Sequence, residues 1–271
     1  MLVTGAAGRI GSYFAEHAQQ KYDLRLMVME GEDKRGIRDF GEVVTGDIED
    51  LERIKQVCAG MDTVVHLAGN SDPSATWERL LGTNIVGTYN TMVAAKAARC
   101  RRVVFASSIH AVSGYPADVQ VKTSEPVNPG DLYGVTKCFG EALGRYMAEQ
   151  EGLSVIALRI GGFQSLEAAR EPEAVGMLDA FVSKRDLHQL IERSIEVENV
   201  RFAILHGLSD NRFKRLDISD ARVLVGYDPQ DDFARENPAV HVLGEAETVS
   251  GHNRADGQES GIREEVGGSN T

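Results

Sequence analysis

The 271-residue sequence is poor in cysteine and in long apolar runs. Its three cysteines, Cys58, Cys100 and Cys138, stand far apart and in no CxxC pair, which suits a reduced, cytoplasmic protein rather than a disulfide framework. The seven histidines form no ligand-spaced cluster, so no metal site is expected. Because no apolar run of about 18 residues and no charged-then-apolar leader occurs, we expect neither a membrane span nor secretion.

Positive charge is also scarce. The formal net charge is −12 and the pI is about 5.1, whereas a nucleic-acid-binding protein needs a basic surface, so nucleic acid is not expected as a partner. Residues 229–271 hold nine Asp and Glu against three Lys and Arg. Together with accumulating Gly and Ser, this predicts an acidic, flexible tail without a core at residues 237–271.

Apolar runs typical of buried strands alternate with helical segments along the rest of the chain. The predicted strands are residues 1–4, 24–29, 42–48, 63–69, 102–108, 153–160 and 201–206. This alternation predicts a parallel sheet wrapped by helices, which is an α/β, Rossmann-like doubly wound fold. Ligands of such sheets bind beyond the carboxyl ends of the strands. The residues at these ends are Glu30, Asp47, Ala68, Ser108 and Gly161.

A glycine-rich turn, residues 5–11, joins the first strand to a helical run. In such a turn Gly5 allows the tight bend, Gly8 allows close approach of the backbone to a phosphate, and Gly11 lets helix and strand pack closely. The spacing is G-x-x-G-x-x-G rather than G-x-G-x-x-G, and an ordinary strand–helix turn is the alternative. The flanking strand and helix favour dinucleotide binding.

Glu30 follows the second strand, 19 residues after Gly11, where a carboxylate holds the adenosine ribose in dinucleotide-binding folds. A carboxylate there repels a 2′-phosphate, so Glu30 favours NAD over NADP. Glu30 is otherwise a simple loop carboxylate, because Glu32 and Asp33 follow it. NADP stays possible, since three cations close by could hold a phosphate: Lys34, Arg35 and Arg38.

Tyr133 and Lys137 stand four residues apart in a predicted helix, so their side chains share one face. A cation beside a phenol lowers the phenol's pKa, and such a tyrosine can act as a general base towards an alcohol. Two half-exposed surface residues are the alternative. Ser108 precedes Tyr133 by 25 residues across a long loop, and Asn84 interrupts the predicted helix 77–99, where it is either functional or a surface residue.

With these motifs placed, residues 1 to about 234 resemble the extended short-chain dehydrogenases/reductases, the NAD-dependent epimerase/dehydratase family. Within it, residues 105–108, 132–141 and 159–161, together with His110, are similar to the uronate dehydrogenases. Those enzymes oxidise a free hexuronic acid at C1 with NAD. The resemblance implies an NAD(P)-binding domain at residues 1–160, a small C-terminal substrate cap at 161–236, and a homo-oligomer.

The resemblance also implies residue roles. Tyr133 would be the base, Lys137 would lower its pKa and hold the nicotinamide ribose, and Ser108 would bond the reacting oxygen. Asn84 would support a proton relay through water. Cofactor contacts are implied for Gly5, Gly8, Arg9, Ile10, Gly11, Glu30, Asp47, Ile48, Leu67, Ala68, Gly69, Asn84, Tyr133, Lys137 and Ile160. Substrate contacts are implied for Ser108, Ile109, His110, Tyr133 and Gly162.

The sequence departs from the uronate dehydrogenases at three places. Ile109 replaces their Asn, Gly162 replaces a Ser, and Gly176 stands where they have the Arg for the substrate carboxylate. Because a buried carboxylate without a partner is costly, a uronate loses its main anchor here. A neutral aldose becomes a candidate, as does a sugar phosphate held by a basic stretch that is otherwise a solvated turn: Arg212, Lys214 and Arg215.

The sequence therefore predicts an NAD(P)-dependent oxidoreductase that oxidises a hydroxyl of a sugar or sugar acid. A nucleotide-sugar epimerase or dehydratase uses the same Ser-Tyr-Lys set, but residues 160–234 leave little room to enclose a nucleotide diphosphate. A non-catalytic nucleotide sensor on the same fold would not need the three residues together. Net reduction of the cofactor by a sugar distinguishes the first function from the other two.

Overall fold

Seven parallel strands form the main sheet of the structure, a computed structural model that describes residues 1–240. In chain order the strands are β1 (Leu2–Thr4), β2 (Arg25–Val28), β3 (Glu42–Thr45), β4 (Thr63–His66), β5 (Arg102–Ser108), β6 (Ser154–Ile160), β7 (Gly162–Gln164), β8 (Phe181–Ser183) and β9 (Phe202–Gly207). The main sheet has the order β3-β2-β1-β4-β5-β6-β9, and β7 pairs with β8 in a separate ribbon. The predicted Rossmann-like fold is thereby confirmed.

Helices cover both faces of this sheet. Within residues 1–240 they are α1 (Arg9–Ala18), α2 (Leu51–Cys58), α3 (Trp77–Leu80), α4 (Gly87–Ala97), α5 (Leu132–Glu149), α6 (Leu166–Ala169), α7 (Lys184–Glu196), α8 (Ser219–Val225) and α9 (Phe233–Glu236). Helices α1, α7 and α8 share one apolar layer with the sheet, and α2, α4 and α5 share the other. A π-helical turn, Leu81–Val86, joins α3 to α4.

Burial on both faces explains why the strands read as continuous apolar runs. Successive side chains of a strand point to opposite faces. Val64 and Val65 of β4 accordingly belong to opposite apolar layers, and both are fully buried. The same holds for Val103 and Val104 of β5. These central strands therefore carry apolar residues on both faces, as is typical of parallel sheets.

Two local features place α5 over the end of β5. Asp131 is the N-cap residue of α5, and its Oδ1 accepts the N–H of Gly134 at 2.7 Å. Gly140 lets the helix lie directly on the ring of Phe105, because a Cβ at that position would come within 2.3 Å of the ring. The helix start, with Tyr133 and Lys137, thus lies beside the carboxyl end of β5.

The predicted substrate cap and tail differ in part from the structure. Strand β9 lies in the 161–236 segment but forms the outer strand of the main sheet. The predicted start of the coreless tail is wrong, because Asn237 is fully buried and Val240 packs in an apolar cluster with Phe181 and Phe233. Residues 241–271, the remainder of the predicted tail, lie outside the described part of the chain. Among residues 1–240 no helix has the length and apolar character to span a membrane.

Candidate active site

The glycine-rich turn forms a cradle between β1, α1 and the end of β4. Gly5 has φ of +66°, and a Cβ there would lie 2.7 Å from the backbone nitrogen of Ala68. At Gly11 a Cβ would lie 2.3 Å from the Gly5 carbonyl oxygen, so helix and turn touch backbone to backbone. Gly8 is the N-cap of α1 and provides no capping side chain. The first-turn N–H groups are therefore available to an anion such as a diphosphate.

Two adjoining cavities follow the carboxyl ends of the strands. The smaller cavity, about 290 Å³, lies beside the end of β2, and the larger cavity, about 450 Å³, lies beside the ends of β5 and β6. Both reach the cradle, since both are lined by Gly5, Gly8, Leu67, Gly69 and Asn70. The elongated cleft suits a dinucleotide with its adenosine half in the smaller cavity and its other half, together with a substrate, in the larger one.

Most of the predicted site residues line this cleft. All the predicted cofactor residues do so except Glu30 and Asn84. The predicted substrate residues all line the larger cavity: Ser108, Ile109, His110, Tyr133 and Gly162. The structure thus brings three separate sequence motifs together: the glycine turn, Ser108, and the pair of Tyr133 and Lys137.

Of the carboxylates in the loop after β2, Glu32 rather than Glu30 lines the smaller cavity. Glu32 Oε2 accepts the N–H of Met29 at 2.7 Å, whereas Glu30 is exposed on the preceding turn. Glu30 as a ribose ligand stays a prediction. Spacing from the glycine turn could not choose between two carboxylates in one short loop. The cations that favoured NADP have other partners, namely Thr45 for Lys34, Asp33 for Arg35 and Asp39 for Arg38.

Asn84 is buried inside the π-helical turn, behind the wall of the cleft. Its Nδ2 donates to Asn70 O at 2.9 Å and to Thr136 Oγ1 at 3.0 Å, and its Oδ1 accepts the N–H of Asn70 at 2.8 Å. The side chain therefore ties the loop after β4 to α5. Single π-helical turns within helices are frequent at functional sites. A role of Asn84 in proton relay stays a prediction.

Tyr133 and Lys137 lie side by side at the floor of the larger cavity. Lys137 Nζ donates to Ala106 O at 2.8 Å and lies 5.4 Å from the centroid of the Tyr133 ring. Burial lowers the pKa of Lys137 to about 8, and the nearby Glu141 opposes this shift. Burial raises the pKa of Tyr133 above its usual value, while a hydrogen bond with Ser108 lowers it. Desolvation of the phenol is the largest of these influences on the pKa. That Lys137 lowers the pKa of Tyr133 stays a prediction.

A buried ion pair lies directly behind these residues. Arg159 donates from Nε and Nη2 to the two carboxylate oxygens of Glu141, at 2.9 and 2.8 Å. Ser107 Oγ donates to the same carboxylate at 2.6 Å. The three side chains join β5, β6 and α5, next to Ser108 and one helical turn beyond Lys137. Sequence analysis gave this pair no role beyond its place in the motifs.

The larger cavity is also lined by residues to which the sequence assigned no role, among them Asn70, Ser71, Phe163 and Gln164. Asn70 and Ser71 follow β4, whereas Phe163 and Gln164 belong to β7, which directly follows β6. The rule that ligands bind beyond the carboxyl ends of the strands could therefore have identified them. Arg9 Nη2 donates to Phe163 O and to Gln164 Oε1, both at 2.8 Å. The glycine turn is thereby linked to the segment that faces the substrate side of the cavity.

The cations proposed as anchors for an acidic substrate do not line the larger cavity. Lys214 pairs with Asp210 at 3.0 Å, and Arg215 Nη2 donates to Tyr115 O at 2.7 Å. Arg212 lies 3.7 Å from Asp232. Among residues 1–240, the basic side chains that line this cavity are Arg9, Lys137 and the imidazole of His110. No group of three or more potential metal ligands is found in the same part of the chain.

Comparison with known proteins identifies a family and several similar dehydrogenases. The pattern of the NAD dependent epimerase/dehydratase family matches residues 1–197. An NAD-dependent glucose-6-phosphate dehydrogenase from Haloferax volcanii is 34% identical over 249 residues, which cover 86% of this chain and 94% of that protein. A uronate dehydrogenase from Agrobacterium fabrum is 35% identical over 232 residues, or 86% of this chain and 84% of that protein.

A solved structure is also similar. It is a uronate dehydrogenase variant from Agrobacterium tumefaciens in complex with NAD, with a TM-score of 0.78 and 33% identity, covering 90% of this chain and 86% of that chain. The Rossmann-like fold of this chain agrees with these matches. The chain belongs to the NAD dependent epimerase/dehydratase family.

Proposed function

We propose that this protein is an NAD-dependent sugar dehydrogenase that oxidises a hydroxyl of a free sugar or sugar acid. The observation that carries the proposal is the meeting of the phosphate cradle with Ser108, Tyr133 and Lys137 in one cavity. The Haloferax volcanii relative is named as an NAD-dependent glucose-6-phosphate dehydrogenase, and the similar uronate dehydrogenase structure is a complex with NAD.

The chain's own residues would divide the work as follows. The cradle and the N-terminus of α1 would hold the diphosphate, and Lys137 would lie beside the nicotinamide half. Bound NAD would supply the hydride acceptor, and the positive charge of its oxidised ring would favour the phenolate of Tyr133. Tyr133 would then take the proton of the sugar hydroxyl, while Ser108 donates a hydrogen bond to the reacting oxygen. A positioned base of this kind contributes about 10²–10⁴-fold to the rate.

The substrate side of the cavity favours a polyhydroxy ligand. Asn70, Ser71 and Gln164 offer amide and hydroxyl groups. The cations considered for a sugar phosphate do not line the cavity and have partners elsewhere: Arg212, Lys214 and Arg215. Hydroxyl and amide groups match sugar hydroxyls, which both donate and accept hydrogen bonds. We therefore rank a neutral aldose above a uronate or a sugar phosphate.

Cofactor choice would depend on Glu32. Its carboxylate lines the smaller cavity, where the adenosine ribose would lie, and a 2′-phosphate there would meet a like charge. The partners of Lys34 and Arg35 leave these cations less able to offset that repulsion. NAD is accordingly proposed over NADP.

We also propose a homo-oligomer in the cytoplasm. Apolar side chains are exposed on the π-helical turn, on α4 and on α5, namely Leu81, Val86, Tyr89, Val135 and Tyr146. Exposed apolar side chains on neighbouring elements are typical of an interaction surface. Light scattering should give a multiple of the 29.5 kDa chain mass, and Tyr146→Glu should lower it. A monomeric wild type would contradict this proposal.

The test of the proposed function is reduction of NAD or NADP by a panel of aldoses, uronates and hexose 6-phosphates. At least one sugar should reduce NAD, and Tyr133→Phe should lower kcat/KM by about 10²–10⁴-fold with NAD binding retained. Tyr22→Phe is the matched control, because the Tyr22 hydroxyl bonds Glu196 away from the cleft. Epimerised nucleotide sugar without net cofactor reduction would favour the epimerase. Bound NAD without any turnover would contradict both enzymes and favour the sensor.

A further inference from the structure

The imidazole of His110 is held by a carboxylate that also starts helix α5. Asp131 Oδ1 accepts the N–H of Gly134 at 2.7 Å, and Asp131 Oδ2 lies 2.6 Å from His110 Nδ1. An ionised carboxylate is an acceptor only, so its partner at this distance must be a donor. In the neutral ring the proton therefore lies on Nδ1, and Nε2 carries the lone pair.

The position of the ring is fixed from other directions as well. The backbone N–H of His110 donates to Ser108 Oγ at 3.2 Å, and the ring lies edge-on to Tyr133 with centroids 5.3 Å apart. The His110 carbonyl approaches Gly134 so closely that a Cβ there would lie 2.3 Å from its oxygen. His110 thus lines the larger cavity beside Tyr133 and Lys137. Its other ring nitrogen, Nε2, is not bonded to Asp131.

We propose that Asp131 is a positioning residue for substrate selection: by fixing the tautomer of His110, it makes Nε2 a hydrogen-bond acceptor for a hydroxyl of the bound sugar. The identity of the ligand rests on the proposed function, whereas the tautomer does not depend on it. An acceptor at this point attracts a hydroxyl, but it gains nothing from a carboxylate or phosphate oxygen, which is itself an acceptor.

Two substitutions at Asp131 separate this role from helix capping. Asp131→Asn keeps an oxygen for the N–H of Gly134 but turns an NH₂ group towards His110 Nδ1, so the ring proton moves to Nε2 and the polarity at the cavity is reversed. Asp131→Ser keeps a capping hydroxyl and leaves the ring tautomer unfixed. The matched controls are Asp50→Asn and Asp50→Ser, because Asp50 caps α2 in the same way, through Arg53 N at 3.0 Å.

The tautomer is measured by nitrogen-15 NMR of the histidine rings in the ligand-free protein at mildly alkaline pH. The His110 signals are assigned by their loss in His110→Asn. The wild type and both Asp50 variants should carry the proton on Nδ1, and Asp131→Asn should carry it on Nε2. A wild-type ring protonated on Nε2 would overturn the proposal, whether or not any sugar is a substrate.

The consequence for the substrate is measured by steady-state kinetics with the best sugar of the panel. Asp131→Asn should raise the KM for the sugar by about 3- to 10-fold, the loss expected for one neutral hydrogen bond, with a smaller change in kcat and none in the KM for NAD. Asp50→Asn should change none of these. A sugar KM unchanged in Asp131→Asn would refute the role in selection. If no sugar is oxidised, the proposed function fails, and the NMR result still decides the tautomer.

Discussion

Removal of one partner from the buried ion pair behind the active site should destabilise the protein severely. The side chains of Arg159 and Glu141 are 1% and 3% exposed, so neither charge can turn to solvent when its partner is lost. Arg159→Met leaves the Glu141 carboxylate with the hydroxyl of Ser107 as its remaining partner. Glu141→Leu leaves the guanidinium beside His206, whose Nε2 lies 3.5 Å away.

The expected magnitude follows from the desolvation of the surviving charge. Breaking a buried pair typically destabilises a protein by about 3–5 kcal/mol, whereas replacing both partners by apolar residues is often neutral. We therefore expect each single variant to lose about 3–5 kcal/mol of unfolding free energy. The double variant Arg159→Met/Glu141→Leu should lose no more than about 1–2 kcal/mol, with a small further loss from the unpaired Ser107 hydroxyl.

Urea unfolding of the four proteins, followed by circular dichroism, measures the pair's coupling as a double-mutant cycle. Arg101→Met is the control, because its partner Asp62 is exposed and such a surface pair contributes about 0–1 kcal/mol. Single variants that lose less than about 1 kcal/mol, or additive losses in the double variant, would refute the reasoning. NAD titration of each folded variant then shows whether the pair also holds α5 in position.

Four further changes test other parts of the account. Burial lowers the pKa of His66 to about 3 and that of His206 to about 4, whereas histidine in the unfolded chain binds a proton below about pH 6.5. The unfolding free energy in urea should therefore fall between pH 6.5 and pH 4, by up to about 1.4 kcal/mol per pH unit for each residue. An unfolding free energy that does not change with pH would contradict this. Gly11→Ala should abolish NAD binding in calorimetry, because its Cβ would lie 2.3 Å from a backbone oxygen; unchanged affinity would disprove the close approach. Lys137→Met should lower kcat/KM about 10²-fold. It should also raise the unfolding free energy at neutral pH by about 1–3 kcal/mol, because the lowered pKa of Lys137 means that its charged form destabilises the folded protein below about pH 10.5. A lower unfolding free energy in the variant would argue against this desolvation cost. Glu32→Gln should narrow the preference for NAD over NADP in kcat/KM about 10-fold, and an unchanged ratio would exclude Glu32 from selectivity.

The main sheet could be predicted because its strands carry a strong local signal. Consecutive apolar residues such as Val64-Val65 and Val103-Val104-Phe105 indicate burial on both faces of a sheet. The same reasoning located the cradle, since Gly5 and Gly11 stand where backbone meets backbone. Because Ser108 ends a predicted strand, it was expected at the carboxyl edge of the sheet, where the start of α5 also lies.

Other features depend on contacts between distant residues. Asn237 is buried because its Nδ2 donates to the carbonyl oxygens of Ala169 and Glu171, and composition alone predicted a tail there. The π-helical turn at Asn84 depends on the bonds with Asn70 and Thr136, which local propensity does not encode. The ribbon of β7 and β8 has three residues in each strand, too few for a periodic pattern.

The pKa of Tyr133 illustrates a different limit. The sequence shows that a cation lies one helical turn away, which favours the phenolate. It does not show how deeply the phenol is buried, and burial proves to be the larger influence. Two effects of opposite sign can be ranked only when the packing around the hydroxyl is known.

The most direct test of the central claim is transfer of deuterium from the substrate. A panel sugar that reduces NAD is labelled with deuterium at the reacting carbon, and the reduced cofactor is analysed by mass spectrometry. Our account predicts that the reduced nicotinamide carries the deuterium and that Tyr133→Phe suppresses the transfer. Reduced cofactor without the label, or labelled sugar that changes configuration while the cofactor stays oxidised overall, would contradict it.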